Sequence, residues 1–426
     1  MAVTGLFGTG SFVADERPKD WRDGISYLYP NGMAPLTAIL GMMKSEKTID
    51  AEFYWWTQAL SAQRALGSMV TAADGSTGAT GSAAAAATVY FKFTTAADRL
   101  EFRVGHQVLL RAAGASAYTA NYAIDTLGKI TAVGATSISV RLYEACSNVA
   151  LIDNCLIVGN VNAEGASMPT AISYDPTKSY NYTQIFRTPL TISRTARQTT
   201  VRTKDKYARM KKEAAEMHSI EMEKAFIYGV KSEGTGSNGL PERTTSGIIS
   251  MLKALAPSNI DSFKSTSAVA ASTTWANGGE LWIDTILEQV FRTGDQERIG
   301  LCGNGVLMAI NTFLKNKSQW KFETTTGKYG MKATIWETVF GTLYLKSHPL
   351  FNQDPMERNT LLVIDPSDIR YRSIQDTKFY GMNDSQTTSQ GRVDATTEEF
   401  LTEAGLELHF PQKFGLFRDF GATHNA

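Results

Sequence analysis

The chain has 426 residues, room for two or three domains, and at 43% hydrophobic and 20% charged it carries enough apolar material for sizeable cores. Lys and Arg total 42 against 42 Asp and Glu, a net charge of zero, which argues against a dedicated nucleic-acid binder and permits dense packing against copies of itself. Cys146, Cys155 and Cys302 include no CxxC pair, so a disulfide scaffold and a zinc module are both excluded and the thiols read as incidental ones of a reducing compartment.

The opening MAVTGLFGTGSF has neither the basic nor the apolar region of a secretory signal. No run approaches the ~20 apolar residues that span a bilayer, so the expectation is a soluble, intracellular chain. Residues 1 to 48 read as an arm. DERPKDWRDG packs seven charges into ten positions, and Pro30, Gly32 and Pro35 break any helix. Phe7, Phe12, Trp21, Tyr27 and Tyr29 therefore need a surface outside the arm. TIDAEFYWWTQ (Thr48 to Gln58) is aromatic-rich and strand-like.

From about 63 to 165 the composition turns to Ala, Gly, Ser and Thr. Short strand-like runs such as TVYFKF, EFRVGHQVLLR and KITAVGATSISVRLY alternate with Gly-containing turns, the pattern of a small all-β unit. We read it as an insertion, because the strand before it has a natural partner in Tyr180 to Ser193 after it. The strongest helix follows, Thr203 to Tyr228, closed by Gly229, with an apolar stripe of Tyr207, Met210, Ala214, Met217 and Ile220. An α/β portion comes next. Ile283, Ile286, Leu287, Val290 and Phe291 mark a helix, RIGLC a buried strand, and Asn304 the cap of a helix carrying Leu307, Ile310 and Leu314. The terminal strand alternates cleanly through Phe400, Thr402, Ala404, Leu406, Leu408 and Phe410, longer than the ~5–6 residues usual for a strand.

Most candidate chemistry fails on context. Gly234 to Gly239 (GTGSNG) matches GxGxxG but follows a helix and precedes Pro241, so it reads as a flexible loop and not as a dinucleotide site. His106, His218, His348, His409 and His424 are scattered with no HExxH, and Cys302 reads as a small buried thiol at a strand end. No catalytic, cofactor or metal site is expected. One asymmetry stands out. Nine basic residues, Arg187, Arg194, Arg197, Arg202, Lys204, Lys206, Arg209, Lys211 and Lys212, face a single acid, Asp205, a net of +8. Between Asp376 and Glu407 the balance is −5, with Asp394, Glu398, Glu399, Glu403 and Glu407 as the candidate acidic partners. The expectation is pairing between copies, which sets register more than affinity, with a basic face toward nucleic-acid phosphates and two solvated faces that meet nothing as the alternatives.

This order of arm, strand pair enclosing an insertion, long helix, α/β domain and long antiparallel strands resembles the HK97 fold of tailed-bacteriophage major capsid proteins. YNYTQIFRTPLTISRTARQT leading to EMEKAFIYG, and the endings LLVIDPSDIRYRSI and EAGLELHFPQKFGLFRDF, are similar to one branch of phage major head proteins. The resemblance implies an α+β chain divided into an N-terminal arm (1–48), extended-loop strands (49–62 and 166–201), an inserted β domain (63–165), a spine helix and following loop (202–245), an axial domain (246–345), and peripheral strands returning to the axial domain (346–426). It implies a non-enzymatic shell subunit that assembles with itself into hexamers and pentamers, in an icosahedral or prolate head around double-stranded DNA. Scaffolding, portal and decoration proteins are the further partners, with no membrane. The shell is built in the host bacterial cytoplasm and ends in the virion. The absence of a long charged leader after Met1 points to a separate scaffolding protein. An encapsulin-like compartment shell is the alternative within the fold, and a soluble α/β enzyme with an appended β domain the alternative outside it.

Overall fold

The computed structural model of the chain describes residues 44–424 apart from 59, 62, 74, 113–123, 200–204, 318–322, 327–331 and 382–394. Most of the expected arm thus lies outside the described residues, as do Arg202, Lys204 and Asp394 among the candidate site residues. The chain forms two compact units, one built from the chain up to Trp55 and from Lys178 onward, the other from Trp56–Thr177.

Two strands come first, β1 (Ser45–Lys47) and β2 (Glu52–Thr57). The second unit follows as a closed six-stranded barrel: β3 (Arg64–Val70), β4 (Thr88–Phe93), β5 (His106–Arg111), β6 (Thr126–Val133), β7 (Ser137–Leu142) and β8 (Asn154–Asn160), in the order β3-β4-β7-β6-β5-β8. Inward positions alternate as a strand's period of two requires: His106, Val108 and Leu110 on β5, and Thr126, Gly128 and Ile130 on β6. Phe91, Phe93, Phe102, Ile138, Val140 and Cys155 complete its core. Closure leaves no ladder edge unpaired. The barrel fits close backbone approach, since a Cβ on Gly67 would lie 2.1 Å from the Lys92 carbonyl oxygen.

The first unit resumes with β9 (Thr177–Tyr182), which pairs with β2, and β10 (Gln184–Ser193). The run Tyr180 to Ser193, expected as one strand, is therefore two. At Thr183 the backbone N–H donates to the Ala51 carbonyl (2.8 Å), and beyond it the chain leaves β2 for a new partner. Next come the one-turn α1 (Arg194–Gln198) and the long helix α2 (Lys206–Tyr228). Asp205 starts α2 three residues later than expected, its carboxylate accepting from the Tyr207 and Ala208 N–H groups, so 23 residues span about 34 Å. Gly229 ends it, but not through a left-handed turn. Its φ is −53°, and a Cβ there would lie 2.4 Å from the Ala225 oxygen and 2.6 Å from the Thr245 oxygen.

The buried face of α2 also differs from the expected stripe. It consists of Ala214, His218, Met222, Glu223, Phe226 and Ile227, while Met217 is 57% exposed. Two polar residues sit inside that face, which is why apolar spacing pointed elsewhere. GTGSNG is not a loose loop. It forms the tip of a hairpin, β11 (Ser232–Thr235) with β12 (Pro241–Thr244).

The remaining elements are α3 (Ile248–Leu255), β13 (Ile260–Ser262), α4 (Trp275–Phe291), β14 (Glu297–Cys302), α5 (Asn304–Lys317), β15 (Glu323–Thr326), β16 (Lys332–Glu337), β17 (Thr342–Ser347), α6 (Pro349–Gln353), β18 (Leu361–Ile364), β19 (Ile369–Tyr380), β20 (Ala395–Leu408) and β21 (Gly415–Arg418). Two sheets organise them: β1-β19-β20-β10, and β13-β21-β18-β14-β17-β16-β15. One core joins the C-terminal turns of α2 to α3 and to both sheets through Met222, Phe226, Ile227, Leu252, Leu301, Leu406 and Leu416. A second core lies under α4 and α5, around Trp275, Trp282, Ile286, Val290 and Val306. β14 is buried along five of its six residues, as a strand covered on both faces must be.

Candidate assembly surfaces

The sheet β1-β19-β20-β10 separates an inner from an outer face, and the residue period assigns the candidate charges to one or the other. Thr188 opposes Phe400 and Phe186 opposes Thr402 on the inner face, against α2. There His218 is buried between two strands: its Nδ1 lies 2.9 Å from the Thr188 hydroxyl and its Nε2 2.8 Å from that of Thr402. Thr188 also lies 3.3 Å from Glu221, and Thr402 2.8 Å from the Thr377 hydroxyl, so each hydroxyl that meets the ring has a second partner. Burial lowers the His218 pKa below its ordinary value, against a smaller upward pull from Glu221.

On the outer face Arg187 and Glu399 are diagonal neighbours, Arg187 opposing Leu401 and Pro189 opposing Glu399. They form a two-pronged ion pair, Nε–Oε2 2.9 Å and Nη2–Oε1 2.8 Å. This pairing, expected between copies, is made within the chain because the ladder brings both groups together. Glu398 points inward, accepting from the Tyr207 hydroxyl of α2. Glu407 is held by Arg372 and His409; burial tends to raise its pKa, yet the hydrogen bonds from His409 and Arg372 keep it below the usual carboxylate range. Arg372 in turn reaches Glu46 of β1 at 2.8 Å. Glu403 accepts a hydrogen bond from Thr183 (3.2 Å) and lines an open cleft.

The basic residues are likewise dispersed. Arg209 and Lys212 form i,i+4 contacts with Glu213 (3.6 Å) and Glu216 (3.7 Å) along α2. Lys211 lies 3.6 Å from the Phe379 ring centroid, and Arg197 4.9 Å from that of Tyr207. Lys206 is exposed on the first turn of α2, and Arg194 opens α1. The structure therefore places the seven described residues of the basic run along β10, α1 and α2, with part of their charge used internally.

Residues that sequence reasoning passed over hold the fold in register. Asn181, wholly buried, donates through Nδ2 to the Leu406 carbonyl (2.7 Å), the Ser246 carbonyl and the Thr245 hydroxyl (both 3.1 Å), while its Oδ1 accepts from the Ser246 N–H (2.8 Å). His348 meets Glu223 of α2 at 2.6 Å with both side chains buried. Arg298, also buried, lies 3.2 Å from Asp365. An exposed aromatic ladder on β2 and β9 is a further feature. Tyr54 and Tyr180 rings are 5.8 Å apart, as are Tyr180 and Tyr182, with Lys178 over Tyr54 at 3.6 Å and Lys231 over Tyr180 at 3.5 Å. The period-two run EFYWWT carried its signal, with Phe53 and Trp55 buried and Tyr54 outward. The Tyr54 hydroxyl donates to Glu52, which pushes its pKa up to about 12.

Cys302 is fully buried at the end of β14, and burial pushes its thiol up to about 12, the state of an inert thiol. Among the described residues no cluster of His, Cys, Asp and Glu is arranged to hold a metal ion, and no helix is long and apolar enough to cross a membrane.

Comparison with known proteins follows the same lines. The profile of the SU10 major capsid protein family matches residues 3–421. A major capsid protein of Pseudomonas phage PaMx41 is 28% identical over 272 residues, covering 60% of this chain and 63% of its own length. Among solved structures, one from Mycobacterium phage Bobi covers 97% of this chain and 99% of its own at 9% identity and a TM-score of 0.46. The holo-SrpI encapsulin of Synechococcus elongatus PCC 7942 covers 59% and 78% at 9% identity and a TM-score of 0.39. Scores this low carry no argument about function.

Proposed function

Because the chain belongs to the SU10 major capsid protein family, we propose that it is the shell-forming subunit of a phage head, assembling with copies of itself around packaged double-stranded DNA. The family match along nearly the whole chain carries this reading. The geometry supports it through what a single copy leaves uncovered. Ile49, Tyr54 and Ile185 stand exposed in the first unit beside ordered charged side chains, and such surface is what contact between subunits consumes. On this reading the two sheets and α2 form the HK97-type frame, with hexamers and pentamers as its capsomers. The barrel serves as an inserted module, and the chain acts by its surfaces and not by catalysis. The exposed part of the basic run, Arg194, Arg197, Lys206 and Lys212, is the part turned to neighbouring subunits or to DNA.

Electron microscopy of the purified chain, produced with and without its scaffolding and packaging partners, tests the proposal. Closed particles of uniform diameter support it. Well-dispersed single subunits under every condition overturn it.

A further inference from the structure

We propose that the cleft between the β11–β12 hairpin and the start of β10 receives the arginine-bearing α1 turn of a second copy. The inference rests on the shell reading above and names a contact for it. The cleft encloses about 390 Å3 and is walled by Ile185 of β10, Glu403 of β20, and Leu240, Glu242 and Arg243 of the hairpin. Ile185 and Leu240 are 58% and 62% exposed, an apolar wall that the described residues leave open. Glu403 stands directly opposite Ile185 in the β10–β20 ladder.

The charge of the cleft is negative. Arg243 is paired with Glu233 at 2.9 Å, so its charge is offset. Among the described residues neither Glu242 nor Glu403 takes part in an ion pair, whereas Glu399 and Glu407 do and Glu398 is held by Tyr207. An apolar wall beside two carboxylates fits an arginine, whose aliphatic stem covers Ile185 and Leu240 while its guanidinium forks to an acid.

α1 is the segment of this chain that offers such groups. It is a single turn with no buried residue, its Arg197 guanidinium 4.9 Å from the Tyr207 ring at the foot of α2, so both arginines stand at the surface. Arg194 and Arg197 are three apart, so they project from neighbouring positions on one side. Its own cleft is out of reach. The cleft sits at Ile185, near the start of β10, and α1 leaves the end of β10 at Ser193; at ~3.3 Å per residue, nine residues of strand hold Arg194 roughly 30 Å away. Complementary patches at opposite ends of one strand pair either across a two-fold axis or head to tail. The shell reading selects the second, a contact that passes from copy to copy and closes into a ring where the rotation allows.

A paired-cysteine experiment tests this. Thr195→Cys on α1 and Ser237→Cys on the hairpin tip are introduced together into the full chain, whose own Cys146, Cys155 and Cys302 are buried. Mild oxidation of assembled particles is expected to give a ladder of dimers, trimers and higher species on a non-reducing gel, while each single variant gives dimers at most. Particles that form without a ladder overturn the contact and leave the shell reading intact; an unmodified chain that forms no particles overturns the shell reading itself. If the cysteine pair blocks assembly, charge exchange decides. Glu242→Arg with Glu403→Arg should lower particle yield at least ten-fold, and adding Arg194→Glu with Arg197→Glu should restore it to within about two-fold. Failure of that restoration overturns the proposal.

Discussion

Replacing Asn181 by alanine tests how β20, the strand pair β2–β9 and the segment leading into α3 are held together. β10 pairs with β20 only as far as Ala404, and beyond that end the Leu406 carbonyl turns to Asn181. The amide thus substitutes for a missing ladder residue, and it ties the same point to Ser246 ahead of α3. Asn181→Ala leaves the Ser246 N–H and the Leu406 carbonyl buried without this partner. Each such group costs about 1–3 kcal/mol, so the expected loss is roughly 3–4 kcal/mol. Equilibrium urea unfolding of the unassembled subunit, followed by tryptophan fluorescence, reports the unit that holds Trp55, Trp275, Trp282 and Trp336. Thr191→Ala, which removes an exposed hydroxyl on the outer face, serves as the control and should change stability by under about 0.5 kcal/mol. A loss below about 1 kcal/mol for Asn181→Ala would refute the assignment of Asn181 as a ladder substitute.

Three further outcomes are expected. Breaking the Arg187–Glu399 pair with Arg187→Gln should cost at most about 1 kcal/mol of subunit stability, because an exposed pair gains little, and a larger loss by urea unfolding would show that the pair is not surface-like. Since burial lowers the His218 pKa, the unfolded chain takes up its proton first as pH falls below about 6.5, so stability present above that value is lost on acidification; His218→Asn should flatten the fall of the urea midpoint between pH 7.5 and 5.5, and an unchanged slope would contradict the reasoning. Replacing residues 58–176 by a short Gly/Ser linker should leave the first unit folded with a single fluorescence-detected transition, and loss of that transition would place the boundary elsewhere.

What was legible in the sequence is what a single element can express. The alternation from Phe400 to Phe410 showed a long strand, and β20 runs for 14 residues. It ends at Leu408, however, Phe410 leaves it with a φ of 45°, and β21 follows it, so it is not the terminal strand. RIGLC showed a strand buried on both faces, and the change in composition near residue 63 showed a separate β unit. Features set by distant partners were not legible. The split at Thr183 leaves no mark in an alternating run, since it depends on Ala51, 132 positions away. The buried face of α2 was misjudged because His218 and Glu223 are polar by type and become interior only through Thr188, Thr402 and His348. The charge segments were correctly seen as opposite, but whether Arg187 meets Glu399 in its own chain depends on the register of β10 against β20, which no local pattern encodes.

The central claim, that this chain builds a closed shell from copies of itself, is tested most directly by sedimentation velocity of the purified protein over a range of concentrations, with scaffolding protein added. The account predicts a shift from subunits or capsomers to one fast boundary of closed particles. A folded monomer persisting at every concentration, with and without scaffold, would contradict it.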